Sequence, residues 1–175
     1  MKLEFFGNIY LIGFMGSGKS TVGPLLAKKI KRVFLDTDEW IENETGLKIN
    51  EIFAQKGEKW FREKESECIA MVSKMTEMVV SVGGGAVLKP ENWLKLKCSG
   101  IAIYLKCKPE TIIKRIEEDK TRPLIAGDPA QKLDRIKKLL IEREPFYEMA
   151  DIIIDTSDHD SPEILADRII SRLKE

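Results

Sequence analysis

The residues from Gly13 to Ser20 read GFMGSGKS and fit the phosphate-binding pattern G-x-x-x-x-G-K-[ST] without a mismatch. The run before them, Asn8 to Ile12, is apolar and rich in β-branched and aromatic residues, which predicts a buried strand. After them, Thr21 to Ile30 carries apolar residues at helical spacing. A strand, a glycine-rich loop and a helix in this order form the context that the motif requires. The sequence therefore predicts a site for a nucleoside triphosphate.

The chemistry of this loop explains its residue types. The glycines let the backbone curl so that several N–H groups converge on one anion, and the next helix points its positive end at the same place. Lys19 adds a mobile cation at the β- and γ-phosphates, and the Ser20 hydroxyl can hold Mg²⁺. Pro24 lies inside the predicted helix, where its missing N–H group is expected to cause strain.

Composition limits the other functions that are open to the chain. With 175 residues, 43% hydrophobic and 33% charged, it is expected to form one soluble globular domain. Lysine plus arginine and aspartate plus glutamate both number 29, so bulk charge predicts neither nucleic-acid nor membrane binding. The single histidine, His159, excludes a His-based triad and a multi-His metal site. Three cysteines without metal-ligand spacing, no signal peptide and no membrane-spanning run indicate a cytoplasmic protein, and a monomer is expected.

Short apolar runs alternate with helical patterns along the chain, which favours a single α/β domain over residues 1–175 with a parallel sheet. The predicted strands are 8–12, 32–35, 78–82, 101–105 and 152–154. The predicted helices are 21–30, 49–78 with an interruption at Gly57, 90–98, 109–118, 130–144 and 162–173. In such a sheet the ligand binds beyond the carboxyl ends of the strands. Residues at those ends should therefore be the functional ones.

Two acidic residues follow the second predicted strand. Asp36 and Asp38 are alternate residues, so both side chains could point toward the phosphate loop. One carboxylate can reach Mg²⁺, directly or through water, and the other can orient and deprotonate an acceptor hydroxyl. Asp38 could instead be the N-cap of a helix that begins at Glu39, and the two roles are compatible.

Three glycines, Gly83, Gly84 and Gly85, follow the third predicted strand. They offer N–H groups and close backbone approach to an anion or substrate, unless they form only a flexible turn. Arg62 and Glu65 are one turn apart on a predicted helix. They could be a surface ion pair of little value, or an arginine held by a carboxylate so that it binds a ligand carboxylate or phosphate.

Three further arginines lie in the second half of the chain. The polar stretch from Asp119 to Asp128 is either a surface loop or a mobile lid that carries Arg122 over the transferring phosphoryl group. Arg115 lies shortly before this stretch. Arg143 lies near a helix end that is predicted at Pro145, where it either complements the helix dipole or binds a ligand.

The ordered motifs of the chain are Gly13 to Thr21, Asp36-Thr37-Asp38, Gly57-Glu58, Phe61-Arg62, Glu65, Gly83-Gly84-Gly85, Arg122-Pro123-Leu124, and Arg143 with Pro145 and Tyr147. Together they resemble the shikimate kinase family, from about Asn8 to the last predicted helix. The resemblance implies a P-loop kinase fold like that of nucleoside monophosphate kinases, with five parallel strands in the order 2-3-1-4-5. A substrate-binding helical region at about 37–66 and a mobile lid at about 119–129 are implied as well. The implied reaction is ATP-dependent phosphoryl transfer to the 3-hydroxyl of shikimate, in the pathway to aromatic amino acids.

The resemblance also implies a role for each matching residue. Asp38 is the base that binds the acceptor hydroxyls, Arg122 closes with the lid, and Arg115 packs near adenine. The implied catalytic residues are Asp38, Lys19 and Arg122. The implied shikimate-binding residues are Asp38, Arg62, Gly83, Gly84, Gly85, Arg143 and Glu65, which orients the arginines. The implied nucleotide-binding residues are Gly13, Gly16, Ser17, Gly18, Lys19, Ser20, Thr21, Arg115 and Arg122, with Ser20 and Asp36 as ligands of Mg²⁺.

Two alternatives are weighed against this interpretation. One is a kinase of another small hydroxy acid, such as gluconate, on the same fold, and the other is a nucleotide-binding regulatory module without turnover. Arg62, Arg143 and the glycine triplet argue against the first, and a complete set of catalytic groups argues against the second. The segment from Ser157 to Ser161, near the family's adenine-side loop, is acidic rather than basic, which leaves base selectivity open.

Overall fold

The computed structural model describes residues 5–118 and 129–175. Its strands are β1 (Asn8–Ile12), β2 (Val33–Asp36), β3 (Met78–Ser81), β4 (Gly100–Cys107) and β5 (Ile152–Thr156). Within these ranges the strands form one parallel sheet in the order β2-β3-β1-β4-β5, and helices flank it. The predicted α/β class and the predicted strand order are therefore confirmed.

Helices occupy most of the chain between the strands. They are α1 (Lys19–Ile30), α2 (Thr37–Thr45), α3 (Ile49–Val72), α4 (Pro90–Ser99), α5 (Pro109–Glu118), α6 (Pro129–Tyr147) and α7 (Pro162–Arg172). Of the helices in the described ranges, none combines the length and apolar character that a membrane span requires. The predicted helices recur with shifted ends, since α1 begins at Lys19 rather than Thr21 and α3 stops at Val72.

The sheet, with β1 as its central strand, separates the core into two layers. This strand pairs with β3 on one side and with β4 on the other, and it is buried along its whole length. Successive side chains of a strand point to opposite faces of the sheet. Ile9 and Leu11 accordingly pack with residues of α1 and α7, whereas Tyr10 and Ile12 pack with residues of α3, α4 and α6. Covered on both faces, the sheet holds the ends of its strands in fixed positions.

The helix α3 is interrupted at Gly57, as predicted. Gly57 has φ 84° and ψ 166°, which lies outside the helical region and in a conformation that favours glycine. The part of α3 after the break carries Arg62 and Glu65. A small apolar cluster packs α2 against both parts of α3, and it consists of Ile41, Ile52 and Phe61. This packing fixes the charged part of α3 relative to the end of β2.

Two prolines lie inside helices, Pro24 in α1 and Pro145 in α6. The prediction that a helix ends at Pro145 is wrong, because α6 continues to Tyr147. A proline removes one N–H group from the helical ladder. The N–H of Glu148 still donates to the carbonyl of Glu144 at 2.9 Å, so the ladder resumes directly after the proline. As a result, Tyr147 belongs to the same helix as the residues before Pro145.

Candidate active site

The phosphate loop joins the end of β1 to the start of α1. Gly13, Gly16 and Gly18 have φ values of 140°, 75° and 100°, which glycine adopts at little cost. A Cβ at Gly13 would also lie 2.8 Å from the carbonyl oxygen of Leu105. The first turn of α1 contains no acidic residue. Its N-terminal N–H groups and the positive end of its dipole are therefore suited to bind an anion.

Lys19 is held at this loop rather than extended into solvent. Its Nζ donates to the carbonyl oxygens of Gly13 and Phe14, both at 2.9 Å, and its side chain is buried. The ammonium group therefore lies among the backbone groups that surround the predicted phosphate position.

Asp36 connects the phosphate loop to the start of α2. The Ser20 hydroxyl donates to Asp36 Oδ2 at 2.6 Å, and Asp36 Oδ1 accepts from the N–H of Asp38 at 2.9 Å. The suggestion that Asp38 is the N-cap is wrong, since the cap is Asp36 and the helix begins at Thr37. Asp36 has extended backbone angles, φ −106° and ψ 126°, which suit a capping residue, whereas Asp38 lies in the first turn of the helix.

Ser20 and Asp36 form a donor set that fits Mg²⁺. Both offer oxygen atoms, and Mg²⁺ in kinases is commonly held by one or two protein groups together with substrate phosphates. In residues 5–118 and 129–175, no three or more His, Cys, Asp or Glu side chains are grouped as a metal cage. Two oxygen-bearing side chains leave room for phosphate oxygens and water around a Mg²⁺ ion, so the donor set fits this metal.

Beside the phosphate loop lies a group of charged side chains from α2, α3 and α6. We call Asp38, Arg62, Glu65 and Arg143, together with the turn Gly83–Gly85, the charged cluster. Arg62 Nη1 donates to Glu65 Oε2 at 2.8 Å. A Cβ at Gly83 would lie 2.2 Å from Glu65 Oε1 and 3.0 Å from Asp38 Oδ1, so both carboxylates face this glycine. Residues distant in the sequence thus meet at the end of β3.

The pair of Arg62 and Glu65 is not a surface ion pair. The Glu65 side chain is 1% exposed and the Arg62 side chain is 30% exposed. On its other side, Arg62 donates from Nε and Nη2 to Glu58 Oε1 at 3.3 and 3.2 Å. Two carboxylates therefore fix one guanidinium group, which leaves its geometry well defined for a planar anionic ligand.

Glu65 is the carboxyl group most affected by its surroundings. Burial raises its pKa to about 7, and the nearby Asp38 carboxylate contributes to the rise. The positive charges of Arg62 and Arg143 oppose the rise in the Glu65 pKa. Within the described part of the chain, Glu65 Oε1 accepts no hydrogen bond. The carboxyl group can thus change its protonation state near neutral pH.

The glycines of the turn are required by close contacts and not by their backbone angles, since none of the three has a positive φ. A Cβ at Gly85 would lie 2.5 Å from Nη1 and Nη2 of Arg62. The N–H of Gly83 donates to Thr37 Oγ1 at 2.9 Å and is therefore used within the protein, contrary to the expectation for the whole triplet. In the described ranges, the N–H groups of Gly84 and Gly85 donate no hydrogen bond.

The glycine turn also touches the phosphate loop. A Cβ at Gly84 would lie 3.2 Å from the carbonyl oxygen of Gly13 and 3.6 Å from the backbone nitrogen of Met15. The guanidinium carbon of Arg143 lies 5.5 Å from the ring centre of Phe14, another residue of the loop. The charged cluster and the phosphate loop are therefore parts of one site.

Some residues of this site were not predicted to be functional. They are Phe14, Thr37 and Tyr147, whose hydroxyl donates to the carbonyl oxygen of Gly84 at 2.6 Å. Each lies inside a motif or one helical turn from a predicted residue. Their positions in the sequence are therefore suggestive, but their contacts run to distant segments that no local pattern shows.

Arg115 connects the phosphate loop to the segment after β5. Its Nη1 donates to the carbonyl oxygen of Gly16 at 3.3 Å and its Nη2 to that of Ser157 at 3.0 Å. In the acidic segment after β5, Asp160 accepts from the N–H of Ser157 at 2.8 Å, so this carboxylate is turned inward. The predicted lid at about 119–129, with Arg122, lies outside the described residues apart from Pro129, where α6 begins.

Comparisons with known proteins identify the family to which this chain is similar. A family model described as shikimate kinase matches residues 15–174. A curated shikimate kinase from Caldanaerobacter subterraneus subsp. tengcongensis is 42% identical over 167 residues, which cover 95% of this chain and 96% of the relative. A solved shikimate kinase from Acinetobacter baumannii, in complex with shikimate, has a TM-score of 0.90 at 36% identity. The match covers 98% of this chain and 94% of that structure's chain.

A gluconokinase from Sinorhizobium meliloti is also similar in structure, with a TM-score of 0.61. The match covers 96% of this chain and 91% of the gluconokinase chain. Its sequence identity is only 16%, so the likeness concerns the fold alone.

Proposed function

The chain belongs to the shikimate kinase family, and we propose how its residues carry out ATP-dependent phosphorylation of shikimate. The reaction moves the γ-phosphoryl group of ATP to the 3-hydroxyl of shikimate and gives shikimate 3-phosphate and ADP. The observation that carries the proposal is that the glycine turn lies against the phosphate loop, since a Cβ on Gly84 would be 3.2 Å from the carbonyl oxygen of Gly13 and 3.6 Å from the backbone nitrogen of Met15. Two substrates bound on the two sides of this contact can react directly.

The phosphate loop is the proposed site of the ATP triphosphate. The N–H groups at the start of α1 bind phosphate oxygens, and Lys19 exchanges its carbonyl partners, Gly13 and Phe14, for the β- and γ-phosphates. A loose phosphoryl-transfer transition state needs mainly positioning and neutralisation of charge, and these groups supply both. Arg122 over the γ-phosphate and Arg115 beside adenine stay predictions.

The charged cluster is the proposed site of shikimate. The carboxylate of shikimate is planar and matches the guanidinium groups of Arg62 and Arg143, which can each donate two parallel hydrogen bonds. Glu65 holds Arg62 in place through the contact of 2.8 Å between Nη1 and Oε2. The N–H groups of Gly84 and Gly85 complete the set of donors.

Asp38 is the proposed general base. Its Oδ1 faces Gly83, on the same side as Glu65 and within the first turn of α2. A carboxylate there can orient the 3-hydroxyl of shikimate and accept its proton as the oxygen attacks the γ-phosphorus.

Ser20 and Asp36 are the proposed protein ligands of Mg²⁺, Asp36 through water. When bound, Mg²⁺ neutralises charge on the β- and γ-phosphates. Asp36 contributes in a second way that needs no metal, because its other oxygen caps α2 and so fixes the backbone of Asp38.

A coupled assay of ADP release with MgATP tests the proposed function. The assay compares shikimate, gluconate and AMP as acceptors with a sample that lacks an acceptor. We expect ADP formation with shikimate alone, because the ring of shikimate holds its carboxylate and its 3-hydroxyl at a fixed separation, whereas gluconate is a flexible open chain and AMP has no carboxylate. Comparable turnover with gluconate would favour the alternative kinase, and ATP binding without turnover would favour the regulatory module.

Replacing Asp38 by asparagine tests its role as base. The variant Asp38→Asn keeps the shape of the side chain but cannot take a proton, so kcat should fall by about 10²–10⁴-fold. The control Asp167→Asn alters an exposed carboxylate on α7 and should leave kcat unchanged. Turnover of Asp38→Asn near the wild-type rate would rule out general-base catalysis by this residue.

The monomeric state and the cytoplasmic location stay predictions from the sequence. Size-exclusion chromatography with light scattering should give the mass of one chain, 20.0 kDa. A mass of two chains would contradict the expected monomer.

A further inference from the structure

Tyr147 is a buried residue next to the charged cluster, and the reaction as proposed above does not use it. Its side chain is 0% exposed, and its ring packs on that of Tyr104 with a centroid distance of 5.1 Å and an interplanar angle of 30°. The Tyr147 hydroxyl donates to the carbonyl oxygen of Gly84 at 2.6 Å. A short hydrogen bond from a rigidly packed ring defines the position of its acceptor closely.

The orientation of one peptide group depends on this hydrogen bond. The carbonyl of Gly84 and the N–H of Gly85 belong to the same planar trans peptide, so they point in opposite directions. Between two glycines such a peptide can rotate at little cost, because no Cβ restricts it. Holding the carbonyl toward Tyr147 therefore directs the Gly85 N–H away from Tyr147. Gly85 lies beside Arg62, where its Cβ would be 2.5 Å from the guanidinium.

Tyr147 is also linked to the other arginine of the cluster. Arg143 precedes it by one helical turn on α6, so the two side chains lie on the same face of the helix. Burial raises the pKa of Tyr147 to about 12, whereas the positive charge of Arg143 opposes the rise. The hydroxyl thus stays protonated at physiological pH and remains a donor to Gly84.

From these contacts we infer that Tyr147 is a positioning residue for the substrate carboxylate. Its hydroxyl fixes the Gly84–Gly85 peptide on the side of the cluster where Arg143 lies, so that the backbone donor and the two arginines converge on one anionic group. The inference deepens the proposed function and rests on it, since it assumes that the charged cluster binds the carboxylate of shikimate.

The variant Tyr147→Phe tests the inference because it removes only the hydroxyl and keeps the stacked ring. We expect the KM for shikimate to rise about tenfold, in the range expected when one positioned hydrogen bond is lost and its carbonyl is left buried. The KM for ATP and kcat should change less than about twofold, because the interaction is equally present in ground and transition states. The matched control is Tyr104→Phe, which removes the hydroxyl of the stacking partner and should leave the KM for shikimate unchanged.

A merely structural hydroxyl would lower the melting temperature of Tyr147→Phe without this selective change in KM. A shikimate KM within about twofold of wild type, or an equal rise in Tyr104→Phe, would overturn the inference. The effect should also depend on the carboxylate site, so Tyr147→Phe should add little to a variant that already carries Arg62→Ala. If the effects of Tyr147→Phe and Arg62→Ala on the KM for shikimate were fully additive in free energy, this would count against a shared site.

A comparison of Arg62→Ala with Tyr147→Phe separates this inference from the proposed function. If Arg62→Ala raises the KM for shikimate and Tyr147→Phe does not, only the role of Tyr147 is wrong. If Arg62→Ala also leaves the KM unchanged, the proposed carboxylate site itself is wrong.

A measurement on the wild-type protein avoids any folding defect of the variant. Amide NMR resonances of Gly84 and Gly85 should shift when shikimate is added to the ¹⁵N-labelled protein, and their hydrogen exchange should slow. Gly46 is the C-cap of α2, and a Cβ placed on it would meet no atom within 4 Å. Its resonance is therefore the control that should not respond to shikimate. Unchanged Gly84 and Gly85 resonances at saturating shikimate would overturn the inference.

Discussion

At the scale of single residues, Glu65 links the stability of the protein to pH. Burial, with a contribution from Asp38, raises the pKa of its carboxyl to about 7 from 4.5, although Arg62 and Arg143 oppose the rise. In the unfolded chain the group is solvated and loses its proton at lower pH. Between about pH 4.5 and 7 the folded protein therefore holds a proton that the unfolded chain has lost, and the free energy of unfolding falls as pH rises.

Replacing Glu65 by glutamine should remove this pH dependence. At 1.36 kcal/mol per pH unit, the interval from pH 4.5 to about 7 lowers the free energy of unfolding by an amount on the order of 3 kcal/mol. We expect the unfolding free energy of wild type to fall, relative to Glu65→Gln, as pH rises from about 4.5 to 7. Chemical denaturation at several pH values measures the difference, and the exposed Glu63→Gln on the same helix is the control. Parallel pH curves for wild type and Glu65→Gln would contradict the expectation.

At the scale of secondary-structure elements, the glycine turn is shaped by the side chains that approach it. Gly83 and Gly85 leave room for Glu65 and for Arg62, and Gly84 leaves room for the carbonyl of Gly13. Gly85 has φ −96° and ψ −10°, angles that alanine also adopts readily. A substitution at Gly85 therefore disturbs the arginine and not the backbone.

A pair of glycine substitutions separates these two effects. In Gly85→Ala, the new Cβ would lie 2.5 Å from the Arg62 guanidinium, which must move, so we expect about a tenfold higher KM for shikimate and a small change in melting temperature. In Gly46→Ala, φ is 68° and no atom lies within 4 Å, so roughly 1–2 kcal/mol of stability should be lost with an unchanged KM. Kinetics and thermal melts of both variants test this, and an unchanged KM in Gly85→Ala would argue against the arginine site.

The helix α6 shows how an element can override a local signal. Pro145 suggests a helix end, yet α6 continues to Tyr147. Because it continues, Arg143 and Tyr147 face the same side, one turn apart. The helix thereby brings two groups of the site together from one segment.

At the scale of the whole molecule, the strand order creates the site. β1 lies between β3 and β4, so the phosphate loop after β1 and the glycine turn after β3 leave the sheet side by side. β2 pairs with the other edge of β3, which brings Asp36 level with Ser81. The three predicted functional segments thus share the carboxyl end of adjacent strands, as expected for parallel sheets.

Ligand binding should stabilise the whole domain because the site is built on its central strands. At shikimate concentrations of about 100 times Kd, the free energy of unfolding should rise by about 2.7 kcal/mol. For a chain of this size the melting temperature should then increase by roughly 5–10 °C. Differential scanning calorimetry tests this, with gluconate as the control ligand. An equal increase with gluconate would contradict selective binding of shikimate.

The sequence by itself determined the class of fold and the main chemical groups. The phosphate loop, the alternation of strands and helices, and the break at Gly57 are recorded in local patterns of residue type and spacing. Ligand groups at the ends of parallel strands could also be predicted, because that rule depends on topology and not on side-chain detail.

Only the tertiary structure decided how these groups are used. Two aspartates stand before α2 or at its start, and the backbone angles identify Asp36 and not Asp38 as the cap. The spacing of Arg62 and Glu65 suits a surface or a buried pair alike, and packing alone makes Glu65 buried. The contact of Tyr147 with Gly84 joins residues 63 positions apart. Sequence patterns record near neighbours along the chain, whereas burial, hydrogen-bond partners and pKa depend on neighbours in space.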